Sequence, residues 1–162
     1  MKYRDFKSAA HRHLICCQKM CDTLSSISNQ EEKNAIIANI YYLSGYVFET
    51  LLSYAIFSIS DKNTRKNPVE EHPEYNNGFK THDFQAKIDF AIKHKCDLNG
   101  IMFISQKHKN DSYMKLYREW KIELRYWPLK SVSTIATINE DLIKGYIDSI
   151  KEVENQFNGK FI

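Results

Sequence analysis

A chain of 162 residues suits one domain, spanning 1–162, and is long enough to bury a real hydrophobic core. An apolar fraction of 43% beside 27% charged residues excludes wholesale disorder, and a net charge of +3 permits contact with nucleic acid without demanding it. Only five glycines and three prolines leave too few tight turns for a β-sandwich or barrel, which favours long helices joined by a few loops.

The opening stretch MKYRDFKSAA is charged and lacks the apolar core of a secretory signal, so a cytoplasmic location is expected. Phe6, Ala10, His13, Cys17, Met20 and Leu24 recur every three or four residues and predict a first helix over about 3–25. Cys16, Cys17 and Cys21 crowd that helix and Cys96 stands alone, a spacing that fits neither a disulfide framework nor a zinc site. Free thiols in a reducing compartment are expected.

A second helix is predicted from about 29 to 60, with Glu31 and Glu32 well placed for its N-terminal dipole. Between Ala35 and Ser60 the single charge is Glu49, and the stretch is long enough to cross a bilayer. Asn39, Ser44, Gly45, Thr50 and Ser53 interrupt it, so the central helix of a bundle, with no membrane, is the preferred reading. Two prolines and Asn77-Gly78 make 61–81 irregular.

Asp83 is a suitable N-cap for a third helix burying Phe84, Ile88, Ala91 and Ile92, which Asn99-Gly100 then breaks. Ile101 to Ile104 form a short apolar run that fits either helix or strand. A fourth helix begins near Asp111, presents Tyr113, Leu116, Trp120 and Leu124 to the core, and stops at Pro128. Thr137-Ile138-Asn139-Glu140 reads as a capping box opening a fifth. Ile138, Leu142, Tyr146, Ile150, Val153 and Phe157 line its inner face, and Gly159 ends it. The predicted fold is all-α: an up-and-down bundle of four to five helices around one long central helix.

No phosphate-cradling glycine loop, GxSxG or HExxH occurs, so neither a cofactor nor a metal is expected. His11 and His13 lie two residues apart on different helix faces, and Arg4 with His11 shares a face that reads as solvated surface. Three segments stand out. In Tyr41–Glu49, Gly45 suggests close helix approach and Glu49 needs a partner or a crevice. In Thr81–Phe84, His82 sits at a helix start. In Trp120–Pro128, Arg125 lies beside aromatics, where it can stack, pair with Glu49 or bind phosphate.

In this order, YYLSGYVFETLL, THDF and ELRYWP resemble the HEPN family of small helical bundles. The matching pieces cover about a third of the chain, while the helix order agrees over nearly all of it. The resemblance implies a bundle that forms homodimers. It also implies membership of a bacterial defence, toxin–antitoxin or RNA-processing system, either as a metal-independent endoribonuclease or as the partner of a nucleotidyltransferase. The family's ribonucleases carry Arg-x4-6-His near their last helices. Here no histidine follows Arg118 or Arg125, the last being His108, so that motif does not transfer.

The expectation is therefore a HEPN-like protein, a degenerate or non-standard endoribonuclease acting on RNA. The alternative is a non-catalytic interaction module that dimerises or holds a nucleotidyltransferase-like protein. Arg125 and His82 are the candidate catalytic residues, with Glu49, Tyr126 and Trp127 as binding residues. Between Lys93 and Arg125, eight Lys or Arg face four Asp or Glu, a local excess that favours phosphate contact.

Overall fold

The computed structural model describes residues 3–64, 81–126 and 137–161. The Pro128 stop expected for the fourth helix and most of the irregular 61–81 segment lie outside these, as does Trp127. Five α-helices occur among the described residues: α1 (Tyr3–Thr23), α2 (Gln30–Thr64), α3 (Phe84–Lys93), α4 (Asp111–Glu119) and α5 (Glu140–Lys160). Short 3-10 turns cover Leu24–Ser26 and Ile122–Tyr126. The all-α architecture is as predicted, and α2 is its axis, packing against α1, α3, α5 and the second 3-10 turn. The segment Gln30–Ser58 is long and apolar enough to cross a membrane, with half of its most apolar stretch buried inside the bundle. A core helix passes the same test.

Four helices start on Asn or Asp, whose side-chain oxygen takes backbone N–H groups left over at a helix N-terminus. Asn29 accepts from Glu31 and Glu32 at 2.9 and 3.0 Å. Asp83 accepts from Gln85 and Ala86 at 2.8 and 3.1 Å, and Asn110 from Ser112 and Tyr113 at 2.9 and 3.3 Å. Asn139 accepts from Leu142 at 2.8 Å, so the predicted capping box is corrected: Asn139 is the cap, and Thr137 precedes the helix. Glu140 instead pairs across to Lys33 of α2 at 3.1 Å and along α5 to Lys144 at 2.7 Å.

Four other expectations change. The buried stripe of α1 is Ala10, Leu14, Cys17 and Cys21, continued by Leu24 of the first 3-10 turn, with Phe6, His13 and Met20 half-buried at its edges. On α3, Phe84, Ile88 and Ala91 are buried, whereas Ile92 is 59% exposed because it lies roughly 80° around the helix from Phe84. That helix ends at Lys93, before Asn99-Gly100. Lys95 takes a left-handed conformation (φ 62°), and the N–H groups of Lys95 and Cys96 reach back to the carbonyls of Ile92 and Ala91 at 2.9 and 2.8 Å. This is a Schellman motif with lysine where glycine is usual. The 101–104 run forms no strand: Ile101 and Phe103 are buried in a tight turn closed by a single Met102–Gln106 bridge.

The fourth helix is shorter than predicted. Trp120 is extended (ψ 133°), and the chain resumes as a 3-10 turn. The departure lets the indole lie on Gly45, where an added Cβ would fall 1.8 Å from a ring carbon. The indole N–H donates to the Tyr42 carbonyl at 3.0 Å, and the ring stacks on Phe84 at 4.8 Å with planes 3° apart. Gly45 thus serves the close approach expected of it. Beneath this contact Tyr41 donates to the Leu116 carbonyl at 2.8 Å, a buried bond contributing about 1 kcal/mol.

Candidate functional site

One face of α2 carries Tyr42, Tyr46 and Glu49, spaced at three and four residues so that all point the same way. The α3 N-terminus and the Trp120 corner pack against that face and deliver the remaining side chains.

Glu49, half-buried, receives His82: Oε2 lies 2.8 Å from Nδ1. An ionised carboxylate only accepts hydrogen bonds, so Nδ1 carries a proton and Nε2 is left as the exchanging nitrogen. Nε2 makes no hydrogen bond to the described residues, and His82 lines a cleft of about 650 Å³. The cleft walls include Arg118 and Lys121 beside Asp83 and Glu123, over a floor of Phe84, Tyr117 and Trp120. Burial pushes the Tyr117 hydroxyl pKa up, helped by the nearby Asp83 charge, and that hydroxyl has no hydrogen-bond partner among the described residues.

Tyr46 is the hub. Its hydroxyl shares a 2.6 Å hydrogen bond with Tyr42, and its ring packs edge-on against Trp120 at 5.7 Å and His82 at 6.5 Å. Burial, the Tyr42 bond and the Glu49 charge push its pKa up, while the Arg125 charge opposes them. Arg125 and Glu49 therefore act on one phenol. The Arg125 guanidinium itself lies 4.4 Å over the ring of Tyr126, which is 72% exposed. Of the sequence candidates, then, Glu49 and His82 meet at Tyr46, Arg125 reaches that phenol through its charge alone, and Tyr126 flanks Arg125. Glu49 takes His82 as its partner, and Arg125 stacks.

Two participants were not singled out from sequence. His13 stacks on Tyr46 at 5.6 Å; burial lowers its pKa, Arg12 adds to this, and Glu49 opposes. Its place in an apolar stripe concealed it. Lys87 is fully buried one turn into α3, with Nζ 3.2 Å from the Ser53 hydroxyl. Burial pulls its pKa down to about 8, against the raising effect of Glu49.

Other polar contacts have a simpler reading. His108 Nδ1 accepts from the Asn110 N–H at 2.9 Å, so its proton sits on Nε2, facing Ser149 at 3.3 Å. Ser149 in turn donates to the Gly145 carbonyl, which makes this a structural chain with no base for the hydroxyl. His11, paired in the sequence with Arg4, bonds Glu154 of α5 at 3.2 Å. No group of three His, Cys, Asp or Glu able to hold a metal occurs among the described residues. No family profile, curated protein or solved structure matches this chain.

Proposed function

We propose that the chain is a HEPN-like helical protein of a bacterial defence, toxin–antitoxin or RNA-processing system, with a non-standard ribonuclease site built on His82 and Arg125. The observation that carries this reading is the Glu49–His82 pair beside Tyr46, within the electrostatic reach of Arg125. Cleavage of RNA without a metal needs a group that moves a proton and a cation that stabilises the charge growing on phosphorus. His82 offers Nε2 for the first, with its ring fixed by Glu49, and Arg125 supplies the second.

Incubating the folded protein with mixed RNA in EDTA tests this. Cleavage is expected, falling about a hundredfold or more in Arg125→Ala and in His82→Gln. Cleavage that survives both substitutions removes these residues from the mechanism.

The exposed apolar side chains of Ile15, Ile92 and Tyr126 favour a second reading, a non-catalytic module that dimerises or holds a nucleotidyltransferase-like partner. Pull-down with the inactive protein tests it, and a partner lost on Tyr126→Ser is the expected result.

A further inference from the structure

A single imidazole leaves the cleavage half-served. Transesterification of RNA removes a proton from the 2′-hydroxyl and delivers one to the departing 5′-oxygen, and two groups do this better than one. We propose that His13 is the second proton-transfer group, so that α1 and the start of α3 contribute one imidazole each to a single site organised by Tyr46 and Glu49. This inference rests on the ribonuclease reading and assigns it a residue.

The geometry is that of one cluster. His13 stacks on Tyr46 at 5.6 Å and His82 meets the same ring edge-on at 6.5 Å, so the two imidazole centres are at most about 12 Å apart. Both feel Glu49: His82 through the 2.8 Å contact, His13 through its field. The groups facing the pair are Arg12 on α1, Tyr42, Tyr46 and Glu49 on α2, Asp83 next to His82, and Arg125, whose charge reaches Tyr46.

The surroundings divide the labour. Partial burial and Arg12 lower the pKa of His13 and favour its neutral form, whose free ring nitrogen suits the base. His82 donates its Nδ1 proton to Glu49, a carboxylate placed to stabilise an imidazolium, and suits the acid. In the step itself His13 takes the 2′-hydroxyl proton and the 2′-oxygen bonds to phosphorus. The bond from phosphorus to the 5′-oxygen breaks, and that oxygen takes the proton from His82 Nε2. The products are a 2′,3′-cyclic phosphate and a 5′-hydroxyl. His13 ends protonated and His82 neutral, and proton exchange with water resets them. No oxidant, reductant or further reactant is consumed.

The test is the pH profile of RNA cleavage in EDTA for wild type, His13→Gln, His82→Gln and Arg125→Ala, each checked for helical content by circular dichroism. The rate is expected to rise with pH along a limb that His13→Gln loses and His82→Gln keeps. Each should lower the maximum about a hundredfold or more. Arg125-dependent cleavage that His13→Gln leaves at the wild-type rate overturns this inference and leaves the ribonuclease reading standing. No cleavage by the folded wild type overturns both. Proton NMR of the imidazoles gives a readout without turnover: Glu49→Gln should lower the titration midpoint of His13, because the Glu49 charge raises it. A His13 midpoint indifferent to Glu49→Gln also overturns the inference.

Discussion

At position 45 there is room for hydrogen and nothing larger. A methyl group on Gly45 would collide with the Trp120 indole, which is pinned by Phe84 on its face and Tyr42 at its N–H. Gly45→Ala should therefore destabilise the protein by about 1–3 kcal/mol despite alanine's better helix propensity, read as a lower denaturant midpoint. Gly159→Ala is the control, because nothing lies within 4 Å of its added Cβ. It should gain up to about 1 kcal/mol. Lys87 gives a pH-dependent prediction. Its folded pKa of about 8 lies below the ordinary 10.5, so above pH 8 the unfolded chain binds more protons here than the folded one. The penalty for burying the charge is whole below about pH 8 and fades as pH rises towards 10.5. Lys87→Met should therefore gain most over wild type below pH 8, and the gap should shrink by about 3 kcal/mol across that interval, measured by urea unfolding.

Among whole elements, the helix starts were the most legible in the sequence, because an Asn or Asp that caps a helix acts within three residues of itself. Asp83 and Glu31–Glu32 sit where local chemistry puts them. The capping box failed on the same scale: Thr137 and Asn139 are both competent caps, and packing of Ile138 and Glu140 selected the second. Asn139→Ala should cost about 1 kcal/mol in thermal unfolding. The helix ends were harder. Nothing around Lys95 announces a left-handed residue, yet the Schellman closure of α3 depends on one. Lys95→Gly should raise stability by up to about 1 kcal/mol, reversing the usual effect of introducing glycine. The end of α4 was out of reach for a different reason: Trp120 leaves the helix for Gly45, 75 positions away in the chain, and no local pattern records that attraction.

For the molecule as a whole, the sequence made the helical class and the central position of α2 plain, since a helix with almost no polar face must be surrounded. It marked Glu49, His82 and Arg125 as unusual but could not show that the first two meet, nor that His13 turns toward the same phenol, because a histidine within an apolar stripe has the same spacing as a core residue. The thiols report how tightly the bundle is closed. Burial raises Cys17, Cys21 and Cys96 to about 12, 11 and 12, while Cys16 is exposed. One thiol should react promptly with a maleimide in the native state and four after denaturation. Prompt labelling of a second would mean that the bundle opens on the labelling timescale.

The seating of Trp120 has an optical consequence. The chain has two tryptophans, so Trp127→Phe leaves a lone indole wedged against Phe84 and touching Tyr46, the ring that both His13 and His82 also contact. Its emission should be blue-shifted in the free protein. An anion bound beside His82 would sit in the cleft that Trp120 itself floors, so occupancy can be followed by fluorescence in a protein that carries no added dye.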